Sequence, residues 1–244
     1  MEMQFWTEQR ATLRDLLKGD RERFLHWPLI IGTMFYLPPP DELQYLQGLP
    51  NWPFIQKLIK DPGVGGADLD PALKTNGNII HHAYSIFRFE DAVGHALAGD
   101  ETILEIGGGY GNFCRLLLKR GFSGRYVIYD LPEFQQLQDW YLGRTLSLDE
   151  RKQVNFVKEL PERAQIERDG AIVGLWSISE MPFALRDRIK ALAPKYFLIG
   201  YQQEFFGLDN VEYFKRWAED EAYRWVHVAI PHIKDNYYLF GARR

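Results

Sequence analysis

Several glycines and one acidic residue lie close together in a short stretch of the chain. The backbone of this stretch could bind a ligand. Residues 103–113 read ILEIGGGYGNF, in which Glu105 precedes Gly107, Gly109 and Gly111. The apolar beginning is typical of a strand, and the glycines of a tight turn that opens a helix. Glycine has no Cβ, so the backbone can turn sharply and a ligand can approach it closely. We therefore predict a ligand-binding strand, turn and helix here.

The glycine spacing excludes the usual dinucleotide fingerprint. G-x-G-x-x-G counted from Gly107 requires glycine at position 112, where the chain has Asn112, and the observed pattern is G-x-G-x-G. A second apolar segment ends in Asp130, 19 residues after Gly111. A carboxylate at that place can accept hydrogen bonds from two ribose hydroxyls. The two features together predict a ribose-containing ligand.

Alternating strands and helices are predicted after Gly99. Five short apolar segments are spaced by helix-sized intervals, which is typical of a parallel sheet covered on both faces. Two further strand-like segments are joined by a link that is only long enough for a hairpin, so the last strand should be antiparallel. The segments are 102–106, 125–129, 154–157, 171–176 and 196–200, followed by 225–230 and 237–240.

The first hundred residues differ, because their apolar residues recur at helical spacing between Pro and Gly loops. We predict short helices there, with loops at 38–40 and 61–71. A longer helix is expected over 79–98, with Gly99 as its C-cap. The chain then divides into a helical N-terminal lid and substrate region, residues 1–98, and a ligand-binding domain, residues 99–244.

Composition narrows the functional classes. The chain has 244 residues, 46% of them hydrophobic, and a net charge of -4, which gives no electrostatic reason to expect nucleic acid or an anionic membrane as partner. A single cysteine, Cys114, excludes an intramolecular disulfide and a multi-cysteine zinc site. Neither a signal peptide nor a membrane-spanning apolar stretch is recognisable, so we expect a cytoplasmic protein.

The glycine pattern, the acid after the second strand and the terminal hairpin resemble those of the class I S-adenosylmethionine-dependent methyltransferases, over roughly residues 100–244. The resemblance implies a Rossmann-like α/β sheet of seven strands, mostly parallel with an antiparallel last strand, after the helical lead-in. Several stretches are more narrowly similar to the bacterial sugar O-methyltransferase family of surface-polysaccharide gene clusters. These stretches are 105–111 (EIGGGYG), 129–133 (YDLPE), 177–181 (SISEM) and 237–241 (YYLFG).

The resemblance implies S-adenosyl-L-methionine as cofactor and assigns it a set of residues. The three glycines of the turn would lie against its methionine part, and Glu105 would order the turn or meet the amino group. Asp130 would bind the ribose and Leu131 would pack on the adenine. Glu159 stands where the class often has an acid or amide near the adenine amino group, although Leu160-Pro161 departs from the usual pattern and a solvated strand end is the alternative.

Aromatic and hydroxyl residues at other strand ends complete the predicted cofactor site. Trp176 and Ser177 lie at the end of the fourth strand, where the cofactor and acceptor pockets meet in this class. Most of the many aromatic residues should pack in the core, but Tyr110, Trp176 and Tyr201 are candidates to face the sulfonium or a sugar.

Methyl transfer to a hydroxyl benefits from a general base, because the acceptor must lose its proton. The candidates are His81, His82, Glu180 and His232. Adjacent helical side chains point about 100° apart, so we expect that His81 and His82 do not both face one site. Each candidate has an alternative: packing or capping for either of these two, a place near the start of the next helix for Glu180, and a surface loop for His232.

The expected activity is therefore O-methylation of a sugar hydroxyl, on a nucleotide-linked or lipid-linked acceptor of polysaccharide biosynthesis. A non-sugar small molecule, a phosphorus-linked oxygen and an inert cofactor-binding subunit are the alternatives. We expect no metal, because Asp68 and Asp70 lack the other ligands of a calcium loop. Assembly into a homo-oligomer stays open.

Overall fold

A computed structural model of the chain describes residues 2–34, 40–163, 166 and 169–244, with the backbone alone at 2–5. Seven strands form one sheet in the order β3-β2-β1-β4-β5-β9-β8. The strands are β1 (Thr102–Ile106), β2 (Arg125–Tyr129), β3 (Val154–Val157), β4 (Ala171–Leu175), β5 (Tyr196–Gln202), β8 (Tyr223–Ala229) and β9 (Asn236–Arg243).

The sheet is parallel from β3 to β5, and β9 runs antiparallel to both β5 and β8. All five residues of β1 are buried, as expected for a central strand covered by helices on both faces. The predicted mostly parallel sheet with an antiparallel last strand is confirmed. A hairpin of two-residue strands, β6 (Glu204–Phe205) and β7 (Leu208–Asp209), was not predicted from the sequence.

Helices follow the strands of the sheet and connect them. They are α6 (Asn112–Lys119), α7 (Pro132–Thr145), α8 (Leu148–Lys152), α9 (Phe183–Ala191) and α10 (Asn210–Ala218). A short 3-10 helix, Ser177–Glu180, follows β4. Because every parallel strand runs in the same direction, the turns after β1, β2 and β4 meet at one edge of the sheet.

The chain before the sheet is helical, as predicted. Its helices are α1 (Glu2–Leu16), α2 (Pro28–Thr33), α3 (Pro40–Gln47), α4 (Trp52–Leu58) and α5 (Gly77–Val93), with 3-10 helices at Phe24–His26 and Leu97–Gly99. The predicted loop over 61–71 has no regular element. Of the predicted loop over 38–40, Pro38 and Pro39 lie outside the described residues, and Pro40 begins α3.

The predicted helix over 79–98 ends earlier than expected, and the assignment of Gly99 as its C-cap is wrong. Gly94 takes the left-handed conformation, with φ 75°, and its N–H donates to the carbonyl of Glu90. Glycine accepts this conformation without a Cβ penalty, so the earlier of the two glycines ends the helix.

Buried apolar side chains form two clusters. The larger cluster joins residues of α1 to α7 to residues of the sheet, and it includes Leu13, Ile30, Ile80, Phe113 and Phe240. The smaller cluster packs α9 and α10 against the sheet. The N-terminal helices therefore share an apolar core with the sheet, which fixes their position against it.

Candidate active site

A cavity of about 650 Å³ lies at the edge where the carboxyl ends of β1, β2 and β4 meet. Its volume is in the usual range for a small-molecule or cofactor site. Strand ends form one side, and helices of the N-terminal part form the other. The residues that line it include Trp6, Arg10, Met34, Asn78, His81, His82, Glu105, Gly107, Gly109, Asp130, Leu131, Lys158, Trp176, Ser177, Glu180 and Phe205.

The glycine turn borders the cavity with its backbone. Gly107, Gly109 and Gly111 have φ of 70°, 56° and 97°, a region that other residues avoid. A Cβ on Gly107 would lie 2.3 Å from the Cβ of Ser177, and one on Gly111 would lie 3.2 Å from Leu142. The turn therefore requires glycine both for its backbone conformation and for close packing.

Two carboxyl groups stand beside the turn. Glu105 is 4% exposed, and the Tyr126 hydroxyl donates to its Oε2 at 2.9 Å. Burial raises the pKa of Glu105 to about 8, and the negative charge of Asp130 adds to that rise. Glu105 therefore holds a proton near neutral pH in the absence of a positively charged partner.

Asp130 begins the connection from β2 to α7. Its Oδ1 accepts the Leu131 N–H at 2.7 Å, and its Oδ2 accepts from Nε2 of Gln138 at 2.6 Å. Burial raises the pKa of Asp130 to about 7, although these two hydrogen bonds act in the opposite direction. A ligand that donated hydrogen bonds to this carboxyl would favour its ionised form.

His82 is held as a neutral imidazole. Its Nδ1 lies 2.9 Å from Nδ2 of Asn112, whose Oδ1 accepts from the guanidinium of Arg115. The amide nitrogen of Asn112 is thus the donor, and Nδ1 of His82 the acceptor. Burial lowers the pKa of His82 to about 3, with smaller contributions from His81 and Arg115. In this tautomer Nε2 carries the hydrogen, so His82 is a hydrogen-bond donor rather than a base.

His81 has a different partner. Its Nδ1 lies 2.6 Å from Oε1 of Glu42, a residue of α3 with no exposed surface. The same carboxylate oxygen lies 2.8 Å from Nε2 of His232. The ring of His81 also packs on Trp176, with 5.0 Å between ring centroids. With the hydrogen on Nδ1, the basic lone pair of His81 is on Nε2.

Trp176 follows β4 and has an unusual backbone conformation. Its φ is 66° although it is not glycine, and its indole N–H donates to Oδ1 of Asn236 at 2.6 Å. Strained residues of this kind persist where the surroundings fix them, often at functional sites. Ser177 follows and donates its hydroxyl hydrogen to the carbonyl of Ile106, which ties the β4 end to the glycine turn.

Most of the site residues predicted from the sequence line the cavity. These are Glu105, Gly107, Gly109, Asp130, Leu131, Trp176 and Ser177 of the cofactor set, and His81, His82 and Glu180 of the base candidates. The expectation that His81 and His82 could not both face one site is wrong. Both line the cavity, because they lie three and four residues after Asn78 and so flank one face of α5.

Five predicted residues are not among the described residues that line the cavity. Tyr201 is fully buried, and its hydroxyl lies 2.6 Å from Nε2 of His227. Tyr110 is 1% exposed and packs on the rings of Phe24 and Tyr141, so it is a core residue. Gly111 precedes α6 and packs on Leu142. Glu159 is exposed two residues after β3, as its alternative interpretation had it. His232 contacts Glu42 instead of the cavity.

Several polar residues of the site were missed by the sequence analysis. Glu42, Asn78, Asn112 and Gln138 belong to no recognisable motif, and Glu42 is 39 residues from His81 and 190 from His232. In the sequence, Asn112 stands out only as the residue that breaks the dinucleotide pattern. The one available signal was position, since Asn112 and Gln138 begin or follow the predicted ligand-binding turns.

No protein-family model matches the chain, and no curated protein sequence matches it significantly. Solved structures do match. The methyltransferase domain of bacterial CtHen1-C has a TM-score of 0.50 at 12% identity, over 67% of this chain and 96% of that one. Magnesium protoporphyrin IX methyltransferase (ChlM) from Synechocystis PCC 6803, solved with bound S-adenosylmethionine, has a TM-score of 0.50 at 12% identity, over 84% of this chain and 90% of that one.

The fold is that of the class I methyltransferases. The Rossmann-like class I arrangement inferred from the glycine pattern is thereby confirmed at the level of fold. No helix in the described part of the chain has the length and apolarity that a membrane span requires. Among the same described residues, no group of three or more His, Cys, Asp and Glu side chains is arranged to hold a metal ion.

Proposed function

We propose that the chain is an S-adenosylmethionine-dependent O-methyltransferase that acts on a sugar hydroxyl. The observation that carries the proposal is the meeting of the glycine turn, Asp130 and His81 in one cavity of a class I methyltransferase fold. The turn and the acid are suited to a nucleoside cofactor, and the histidine is suited to an acceptor that loses a proton.

The residues present fit such a cofactor. Gly107, Gly108 and Gly109 all line the cavity, so the turn presents its backbone to a ligand. Asp130 can accept hydrogen bonds from ribose hydroxyls, and Glu105 can pair with a ligand ammonium group once ionised. Leu131 offers an apolar surface for an adenine ring. When bound, S-adenosylmethionine would supply the methyl group from its sulfonium sulfur.

The chain's own residues would position the acceptor and take its proton. His81 accepts the hydroxyl proton at Nε2, and the electron pair of that O–H bond becomes available to the acceptor oxygen. His82 donates from its Nε2–H and so can orient an oxygen atom of a ligand. Glu180, near Gln202, offers a further acceptor at the same edge.

The N-terminal helices would exclude water during the reaction. Trp6, Thr7 and Arg10 of α1 line the cavity. Arg10 and Arg14 both pair with Glu133 of α7, at 2.9 and 2.8 Å, which fastens α1 over the site. We therefore assign residues 1–98 as a lid and substrate region and residues 99–244 as the cofactor-binding domain.

The sugar acceptor is the finer part of the proposal. A histidine base supports a hydroxyl acceptor, because a neutral hydroxyl must lose its proton. The sugar itself, and a place in cytoplasmic polysaccharide biosynthesis, are supported only by the sequence resemblance at 105–111, 129–133, 177–181 and 237–241. The same fold serves many acceptors, so the acceptor requires its own test.

Calorimetric titration with S-adenosylhomocysteine tests the cofactor. We expect binding to the unaltered chain and a large loss in Asp130→Asn. Asp139→Asn is the matched control, because Asp139 lies on the surface of α7 in a pair with Arg151. No binding by the unaltered chain would refute the proposal.

Transfer of a labelled methyl group to pools of nucleotide-linked and lipid-linked sugars tests the acceptor. Product that carries the label on a sugar oxygen is the expected result. Label on a non-sugar molecule or on a phosphorus-linked oxygen would replace the acceptor class. Cofactor binding without transfer to any acceptor would favour an inert cofactor-binding subunit.

A further inference from the structure

A buried carboxylate lies between two imidazoles beside the cavity. Oε1 of Glu42 is 2.6 Å from Nδ1 of His81 and 2.8 Å from Nε2 of His232. Glu42 has no exposed surface, His81 is 2% exposed, and the side chain of His232 is 9% exposed. The three residues come from α3, from α5 and from the link between β8 and β9. We call them the His-Glu-His unit.

The chemistry of a carboxylate sets the hydrogen positions in this unit. An ionised carboxylate can only accept hydrogen bonds, so each imidazole nitrogen that faces Oε1 must carry a hydrogen. His81 then has its hydrogen on Nδ1 and its lone pair on Nε2, and His232 has its hydrogen on Nε2. The lone pair of the cavity-lining histidine is thus fixed on one nitrogen by a residue outside the cavity.

Aromatic rings hold both imidazoles in place. Trp176 packs on His81 at a centroid distance of 5.0 Å, and Tyr84 meets His232 edge-on at 5.5 Å. Trp176 is itself fixed by Asn236, the first residue of β9. The orientation of the His81 ring therefore depends on contacts from both the N-terminal helices and the last two strands.

We propose that Glu42 and His232 are positioning residues that keep His81 in the tautomer of a general base and stabilise its positive charge. The inference rests on the proposed methyltransferase function. His81 Nε2 takes the acceptor proton while the oxygen's electron pair forms the new O–C bond and the S–C bond breaks towards sulfur. The resulting imidazolium faces the Glu42 carboxylate through Nδ1–H, and the proton later passes to water when the product leaves.

The carboxylate is important because the charge on His81 develops in a largely buried place. Preorganised groups that face a developing charge stabilise it most where water is excluded. A histidine in the wrong tautomer cannot accept the proton even when its ring is well placed, and in a triad this loss reaches about 10⁴-fold. His232 acts through Glu42, because it holds Oε1 of that carboxylate in its position beside His81.

Nuclear magnetic resonance of the ¹⁵N-histidine-labelled full chain tests the unit without any turnover. We expect His81 to carry hydrogen on Nδ1 and none on Nε2, with the resonance assigned from the spectrum of His81→Gln. Glu42→Gln should change the His81 nitrogen shifts, and His232→Gln should change them less. A wild-type His81 protonated on Nε2 and not on Nδ1 would overturn the proposal whether or not any variant folds.

Kinetics separate positioning from simple structural support. Glu42→Gln should lower kcat by about 10²–10⁴-fold and His232→Gln by about 10–10²-fold, while KM and the affinity for S-adenosylhomocysteine change less than about threefold. Glu42→Asp, which keeps the charge, should recover part of kcat. The control is His95→Gln, which removes another imidazole–carboxylate pair, His95 with Asp100 at 2.7 Å, outside the residues that line the cavity.

Different results would refute the positioning role and the proposed function. A wild-type kcat retained by Glu42→Gln, or an equal loss in His95→Gln, would overturn the positioning role. Absence of S-adenosylhomocysteine binding by the unaltered chain would refute the proposed function instead, and the tautomer of His81 would still be decided by the nitrogen spectrum.

Discussion

Cofactor affinity should depend on pH through Asp130. Burial raises the pKa of this carboxyl to about 7 from an ordinary value of 3.8. A ribose that donates hydrogen bonds to it favours the ionised form, so binding below about pH 7 must release a proton. Affinity for S-adenosylhomocysteine should therefore rise with pH through about 7, and it should level off only above about pH 8, where Glu105 is ionised as well.

The size of the change in affinity follows from the raised pKa of Asp130. Each pH unit below the pKa of the free protein costs about tenfold in affinity, or about 1.4 kcal/mol, until the pKa of the complex is reached. The Asp130 contribution alone should thus make binding at about pH 5 roughly a hundredfold weaker than at about pH 8, and ionisation of Glu105 adds to the loss. Without ligand the same shift acts on folding. The stabilisation of the folded state by the protonated Asp130 carboxyl is fully present below about pH 4 and is lost as pH rises through about 7.

Calorimetry in buffers of different ionisation enthalpy measures both affinity and proton release. We expect release of up to one proton from Asp130 near about pH 6, up to one more from Glu105 near about pH 7, and little well above about pH 8. Asp130→Asn should bind weakly with a flatter pH profile, whereas the surface variant Asp139→Asn should keep the slope. An affinity that stays constant from about pH 5 to about pH 8 in the unaltered chain would refute the reasoning.

Three further predictions concern the turn, the lid and the buried histidine. Gly107→Ala should lower the free energy of unfolding by about 2–4 kcal/mol in urea denaturation, because its Cβ would meet Ser177 at 2.3 Å and its φ is positive. Gly94→Ala has the same backbone strain with no atom within 4 Å, so it should cost about 1 kcal/mol, and equal costs would contradict the packing argument. Glu133→Gln should speed proteolytic cleavage within α1 roughly tenfold, since it weakens the pairs with Arg10 and Arg14, and an unchanged rate would show that these pairs do not hold the lid. Burial lowers the pKa of His82 to about 3, so its contribution to stability is present above about pH 6.5 and is lost as pH falls towards 3. The loss between about pH 7 and about pH 5 should be at most about 2 kcal/mol and smaller in His82→Asn, which urea unfolding at the two pH values measures.

Local patterns predicted the parts of the fold that local physics determines. The strands 102–106, 125–129 and 154–157 coincide with β1, β2 and β3, because short apolar segments bounded by turn residues have few other solutions. The helix over 79–98 was placed correctly but ended too late, since two glycines, Gly94 and Gly99, could each have capped it. Gly94 comes first and takes the left-handed conformation, so it is the one that ends the helix.

Long-range contacts explain what the sequence could not supply. Glu42 meets His81 and His232 only after α3, α5 and the terminal hairpin have packed together, and no spacing in the chain records that contact. For Tyr110, a long-range contact removes a role that the sequence suggested. Its place inside the glycine turn suggested a ligand contact, but Phe24, 86 residues earlier, packs on its ring and makes it part of the core.

The strand order has a consequence for how the chain folds. β9 lies between β5 and β8, so β8 is hydrogen-bonded to the sheet only through a strand that follows it in the chain. During synthesis β8 leaves the ribosome first and must wait with both of its edges unpaired. Unpaired edges invite association with other chains. Because the link that joins the two strands carries His232, the step that closes this gap also brings that imidazole to Glu42. Completion of the sheet and assembly of the His-Glu-His unit should therefore be a single late event in folding.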